Sequence, residues 1–357
     1  MPSVSPSPRP RRDARRARGL LGLGLLAGAC TPDQSIIKLE GDDVFFQNDA
    51  GEVDVLVVVD NSGSMQPYQE LLSQNFNEFL TYFIEGNVDY HIGVVTTTIE
   101  RPEGFLGAGC SQDDVDAIPN GGQLVRTAWI SPSTDDGDAL FQELVSVGTC
   151  GAGYEMGIES AYRAVTDPMV SGDNEGFLRD DAYLSIIFVS DEEDSSPQPV
   201  NDYINAFRDV KGQRARDVFN ASALVVTSLD DCDRQQVQSG ASPGTRYLDV
   251  AEQTGGVTGN ICADDFGVIV EELSLASSRL TDTFFLNDEP DPRTIEVGVE
   301  EDVIPCDAGV WTFARADDNG VERPAIVFDR GSLPPPNSKI TIQYSFGGGD
   351  PAGFCEG

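Results

Sequence analysis

Two stretches of the chain, DVLVVVD at 54–60 and YLSIIFVSD at 183–191, carry apolar runs toward a terminal aspartate, VLVVV directly and IIFV through Ser190. A strand with one face in water alternates apolar and polar residues, so such runs belong to strands covered on both faces. Segments of helical period stand between and beyond them. LLSQNFNEFLTYFI (71–84) places apolar side chains at 71, 72, 76, 79, 80, 83 and 84, one face of a helix. VDYHIGVVTTT (88–98) reads as a strand, 137–147 and 153–166 as helices, and 199–210 as a further helix. FNASALVVTS (219–228) reads as a strand, followed by helices at 245–253 and 264–280. Buried strands alternating with helices predict an α/β fold with a doubly wound, mainly parallel sheet over residues 53–286. Residues 99–134, rich in Gly, Pro and Asp, read as a loop insertion in that domain. After Phe285 the pattern changes to short β-type runs (TIEVGVEE, VWTFARA, PAIVFD, KITIQYSF) separated by DNG and PPPN turns, which predicts a small β-rich unit at 287–357.

The N-terminus has the form of an export signal. RPRRDARRARGLLGLGLLAGAC carries an arginine-rich region, then eleven small or apolar residues from Gly19 to Ala29, then Cys30. Eleven residues are too few for a bilayer span, which takes about 20. Ala27-Gly28-Ala29 satisfies the rule for ordinary signal peptidase, whereas LAGAC resembles a bacterial lipobox that makes Cys30 the lipidated N-terminus. The cysteine count favours lipidation. Of seven cysteines, assigning Cys30 to lipid leaves six, an even set suited to disulfides in an oxidising compartment. Proximity along the chain pairs Cys110 with Cys150, Cys232 with Cys262, and Cys306 with Cys355. On this reading residues 1–29 are a lipoprotein-type signal peptide and 30–52 a tether. The protein is expected in the cell envelope, held to membrane only by its lipid, or secreted if Cys30 stays unmodified.

Charge narrows the partners. Six of the 23 Lys+Arg and one of the 60 Asp+Glu fall within residues 1–30, leaving 17 basic and 59 acidic residues, a net charge of −42. So anionic a surface repels nucleic acid and anionic lipid.

In an open α/β sheet, ligands bind beyond the carboxyl ends of the strands. Asp60, Ser62 and Ser64 of DNSGS lie at such an end, and Asp191 ends the second buried strand. Oxygen donors without imidazole or thiol suit a hard cation such as Mg²⁺, with Mn²⁺ or Ca²⁺ also compatible. DVLVVVDNSGSM resembles the first strand and metal loop of von Willebrand factor A domains, and DYHIGVVTTT, IIFVSDEED and RYLDVAEQTGG are similar to bacterial members, including exported lipoproteins. The resemblance covers about residues 53–285. It implies a metal-ion-dependent adhesion site in which Ser62 and Ser64 touch the cation and Asp60 and Asp191 act largely through water and hydrogen bonds. It also implies a threonine from a loop before a helix, for which VGTCGAGYEMGIESAYRAV offers Thr149, with Thr96, Thr97 and Thr98 as alternatives. A partner protein's carboxylate then fills the open metal position. If Cys150 bridges Cys110, the disulfide pins the loop bearing Thr149.

Enzyme classes find little support. His91 is the only histidine, so a histidine-ligated zinc protease is excluded, and no Gly-x-Ser-x-Gly elbow accompanies it for a serine hydrolase. No GxxxxGK[ST] phosphate loop occurs, and Asp60, followed by Asn61 and Ser62, lacks the Asp-x-Asp pattern that a phosphoryl-accepting aspartate of phosphatases would show. The expectation is a non-enzymatic binding module. The alternative is a scaffold lipoprotein whose metal is structural and whose C-terminal β unit makes the contacts. The acids of DEED (191–194) beyond Asp191 read as a solvated loop or, less simply, an additional Ca²⁺ site.

Overall fold

In the computed structural model, which describes residues 40–48, 51–101, 109–212, 219–318 and 320–347, the apolar run at 55–59 lies at the centre of the largest sheet. The signal segment, Cys30 and Cys355 fall outside the described residues. The chain begins with β1 (Glu40–Phe46), β2 (Glu52–Val59), α1 (Gln66–Gln74), α2 (Phe76–Glu85), β3 (Asp89–Thr96) and α3 (Gln112–Asp116). There follow β4 (Trp129–Ile130), α4 (Gly137–Val145), α5 (Gly157–Ala164), β5 (Tyr183–Ser190), α6 (Val200–Val210) and β6 (Phe219–Val225). Next come α7 (Arg234–Ser239), α8 (Thr245–Thr254), β7 (Thr258–Asn260), α9 (Gly267–Ser278) and β8 (Thr283–Phe285). The chain closes with β9 (Glu296–Val299), β10 (Asp302–Ile304), β11 (Trp311–Asp318), β12 (Val321–Phe328) and β13 (Lys339–Ser345).

The largest sheet has the order β4-β3-β2-β5-β6-β7, parallel throughout except for the short edge strand β4. Its central strand explains the apolar run. Val55, Val57 and Val59 share a core with α1, α2, α4 and α9, while Leu56 and Val58 share the opposite core with α5, α6 and α8. Each such side chain contributes about 1.5–3 kcal/mol on full burial, which a strand gains at every residue only when helices cover both faces. The chain runs outward from β2 to β3 and β4, then returns to set β5, β6 and β7 on the other side. Strand order therefore reverses between β2 and β5, and a crevice opens at their carboxyl ends.

The amino end of β2 is pinned differently. Asp54, fully buried, accepts from Arg179 Nε at 2.8 Å and from Lys211 Nζ at 3.2 Å. Removing one partner of a buried ion pair leaves an uncompensated charge, so this group holds the sheet's base together. Burial pushes the Lys211 ammonium's pKa down, while Asp54 opposes the shift.

Several sequence expectations need correction. The helix read at 71–84 is two, α1 and α2, interrupted at Asn75, whose Nδ2 donates to the Leu71 carbonyl at 2.8 Å and competes with helical continuation. The stretch 99–134 is not all loop, because it holds α3 and β4. The tether read over 30–52 contains β1, which pairs antiparallel with β13 from Glu40↔Ser345 to Phe46↔Lys339.

β1 belongs to the C-terminal β region. The sheet β1-β13-β9-β10 and the sheet β11-β12-β8 share one apolar core that includes Phe284, Val297, Trp311, Ile326, Phe328 and Ile342. Asp43 on β1 is buried and accepts from Asn287 N at 3.0 Å, Asn287 Nδ2 at 2.5 Å and Tyr344 Oη at 2.7 Å. The mostly parallel α/β region is thus inserted into the β region between β1 and β8. Its two connections run side by side: Gln47 donates to the Thr281 carbonyl at 2.9 Å and accepts from Thr281 N at 3.0 Å.

Candidate metal centre

The carboxyl ends of β3, β2 and β5 lie level. Val59 is in register with Thr96 on one side and Val189 on the other. Asp60 continues β2 by one residue, its N–H donating to the Val189 carbonyl at 2.9 Å. The chain then turns, with Ser62 N donating to Asp60 Oδ1 at 2.7 Å, before α1 begins at Gln66. This local turn brings Ser62 and Ser64 back over the strand end, their hydroxyls 3.2 Å apart. Ser64 Oγ donates to Asp191 Oδ1 at 3.0 Å, which joins the two halves of the motif across the crevice. Ser190, the last residue of β5, donates to Asp60 Oδ2 at 2.6 Å. Asp60, Ser62, Ser64 and Asp191 are therefore one cluster.

Thr149 is placed less directly. It is half-buried in the loop before α5, and among the described residues no hydrogen bond joins its hydroxyl to the cluster. The alternatives at the end of β3 lie deeper: Thr98 donates to Asn61 Oδ1 at 2.9 Å, and Thr97 donates to Glu155, while Thr96 turns away to the Pro119 carbonyl. The Thr149 loop still reaches the cluster through its backbone, because Gly151 N donates to the Asn61 carbonyl at 2.9 Å. A Cβ at Gly151 would stand 2.4 Å from Asn61 Oδ1, so only glycine permits this approach. The Cys110–Cys150 disulfide forms beside it, and Cys232–Cys262 forms on the far side of the crevice. The third pairing, Cys306 with Cys355, involves a residue outside the described ones.

Glu155 is the residue that sequence reasoning missed. It is 1% exposed, accepts from Thr97 Oγ1, and its backbone carbonyl accepts from Ser195 N at 2.6 Å. Burial, then the charge of Asp60, pushes its carboxyl up to about 10. The same two causes push Asp191 up to about 7 and raise Glu192, and burial raises Asp60 itself. Close carboxylates cannot all ionise in a dry crevice without a compensating cation.

Two polar atoms of the crevice, Asp191 Oδ2 and Asn61 Nδ2, are buried without a hydrogen-bond partner among the described residues, while Glu155, which keeps its proton, bonds Asp60. An orphaned buried carboxylate oxygen is costly, and a hard cation is the species that oxygen donors of this kind satisfy. Among the described residues no group of three or more His, Cys, Asp and Glu side chains is placed to hold a metal, so a cation here depends on the serine hydroxyls. The donor set, two hydroxyls beside carboxylates, fits such an ion.

Two of the remaining acids of DEED serve helix starts. Glu193 accepts from Thr245 N at 3.1 Å and Arg246 N at 3.0 Å at the start of α8. Asp194 accepts from Ile158 N at 3.2 Å in the first turn of α5 and pairs with Arg246 at 2.8 Å. Both satisfy the free N–H groups of helix starts that face the crevice.

No family model and no curated protein sequence matches the chain. Among solved structures it is similar to the pilus adhesin SpaC of Lactobacillus rhamnosus GG in its open conformation, at 12% identity and a TM-score of 0.42, covering 86% of this chain and 41% of the adhesin. It is also similar to proximal thread matrix protein 1 of the mussel byssus, at 11% identity and a TM-score of 0.37, covering 68% of this chain and 51% of that protein. The chain thus spans about half or less of each protein's length.

Proposed function

We propose that this chain is a cell-envelope binding module of the von Willebrand factor A type, a doubly wound domain that captures a protein partner's carboxylate through Mg²⁺. The orphaned Asp191 Oδ2 carries the reading: a fully buried carboxylate oxygen at the switch point, bonded to no donor among the described residues, beside two serine hydroxyls. Ser62 and Ser64 would hold the ion, with Asp60 and Asp191 behind them. When bound, the cation supplies an electrophilic position that a carboxylate can fill.

The chain's own residues do the positioning. Ser190 and Ser62 N fix the Asp60 carboxylate from two sides, and Gln69 Nε2, donating to the Asp60 carbonyl at 3.0 Å and the Gly148 carbonyl at 2.9 Å, ties α1 to the Thr149 loop. Binding rather than bond cleavage is supported by the place of His91. It lies in register with Asp54, at the opposite end of the sheet from Asp60, and hydrogen-bonds the Phe177 carbonyl at 2.8 Å.

Export and lipidation of Cys30 belong to the same proposal. Disulfides persist in oxidising compartments, and no helix of the described residues is long and apolar enough to cross a membrane. A scaffold role, with the metal structural, is separated by chelation. Removal of metal with EDTA is expected to leave the circular-dichroism spectrum folded and to lower stability only by mass-action linkage, about 2.7 kcal/mol at a hundredfold excess of ion over Kd, seen as a modest fall in Tm. Unfolding on chelation would favour the scaffold.

A further inference from the structure

The walls of the crevice are built from loops that the two disulfides brace. On one side Cys110–Cys150 joins the short helix α3 to the loop that reaches Asn61. On the other, Cys232–Cys262 holds the segment carrying α7, which returns to the site where Ser242 N donates to the Asp191 carbonyl at 2.8 Å and Ser242 Oγ accepts from Glu193 N at 3.1 Å. The α7 segment therefore borders the cluster and is not remote from it.

These walls are more one-sided in charge than the rest of the protein. The segments around the crevice (61–70, 97–101, 109–118, 146–156, 191–199, 227–246 and 261–267) contain 15 acidic residues and three arginines. Beyond residue 30 as a whole the count is 59 acidic to 17 basic. Arg246 is paired with Asp194 at 2.8 Å, which leaves Arg234 and Arg101, the latter donating to the Ile118 carbonyl at 2.8 Å. Asp113 and Asp116 on one wall and Asp230, Asp231 and Asp233 on the other are exposed. A partner that offered a bare acidic segment would meet this field and be repelled, while a partner with basic residues beside its acid would be drawn in.

Resting on the metal-bridged reading above, we infer that the partner's metal-seeking carboxylate sits within a basic segment, its flanking Lys or Arg side chains facing the aspartates of the two walls. The orphaned Asp191 Oδ2 marks where the cation that the acid meets would lie, and the walls set the acid's neighbours. The exposed Tyr154, on the loop braced by Cys110–Cys150, offers a flat surface for the aliphatic stems of those basic residues.

The test uses the purified protein with Mg²⁺ and three labelled peptides: Ser-Lys-Lys-Asp-Lys-Lys-Ser, its Asn counterpart, and Ser-Ser-Ser-Asp-Ser-Ser-Ser. Fluorescence anisotropy is expected to show the lysine-flanked aspartate binding about tenfold or more tightly than the serine-flanked one at roughly 50 mM salt, with the gap closing as screening increases. The variant Asp113→Asn/Asp116→Asn/Asp230→Asn/Asp231→Asn should narrow that gap and still give a one-site Mg²⁺ isotherm, its affinity lowered only as far as the lost field accounts for. Equal Mg²⁺-dependent binding of both aspartate peptides overturns this inference and leaves carboxylate capture standing. Binding of the lysine-flanked asparagine peptide as tightly as the aspartate one, with or without Mg²⁺, overturns the metal-bridged reading itself. Binding of none overturns the inference.

Discussion

Asp191 and Glu155 are acids held against their own ionisation by burial and by Asp60. In the metal-free protein their folded pKa values stand above the unfolded ones, so the folded state holds the extra protons. That contribution to stability is full below the ordinary carboxylate range and is lost as pH rises, through about 7 for Asp191. A cation beside Asp191 favours its ionised form and so drives off its proton, which makes Mg²⁺ affinity rise with pH. Titrations at about pH 5.5 and about pH 8 should differ by roughly tenfold or more, with protons released on binding at the lower pH. A pH-independent affinity would mean that Asp191 does not meet the ion. Asp60, Ser62, Ser64 and Asp191 were legible in the sequence because each lies within or directly after an apolar strand, where position follows from local pattern. Glu155 was not, since YEMGIESAYRAV continues the helical period back to 153. In the fold α5 starts only at Gly157, which leaves Glu155 in the loop and turned inward.

Among elements, periodicity located β2, β3, β5, β6, α4, α5, α6, α8 and α9, whose apolar residues mark the faces they bury. It failed where burial is achieved by other means. RQQVQS of α7 has no apolar face, and the helix is fixed by Asp233, which accepts from Gln235 N and Gln236 N, and by the neighbouring disulfide. EGDDVFF of β1 reads as polar because Asp43 shares its inward side with Phe45, while Val44 and Phe46 point outward at 45% and 66% exposure. The disulfide that braces the Thr149 loop has a direct consequence. Cys110→Ser/Cys150→Ser releases a loop of 40 residues' separation and should cost roughly 3–4 kcal/mol in denaturant unfolding. It should also weaken Mg²⁺ binding, because Gly151 and Glu155 lose their hold on Asn61 and Thr97. Unchanged cation affinity would show that the loop needs no brace.

At the scale of the molecule, the α/β region is an insertion, entered after β1 and left before β8, with Gln47 and Thr281 bonded where the two connections pass. Alternating buried strands made the α/β architecture readable from sequence, but the insertion was hidden in one polar strand. Asp43→Ala tests it: the substitution strips the acceptor from Asn287 and Tyr344 and should cost about 2–4 kcal/mol, seen as a lower Tm with the Mg²⁺ isotherm intact. A neutral effect would mean that β1 is not needed to complete the β region. The account rests above all on the crevice between β2 and β5 holding a cation. Isothermal titration of Mg²⁺ and Mn²⁺ into chelator-treated protein, beside Ser62→Ala/Ser64→Ala, measures that directly. A one-site isotherm in the parent that vanishes in the variant is the predicted result. Heat of binding absent from both, or equal in both, would contradict it.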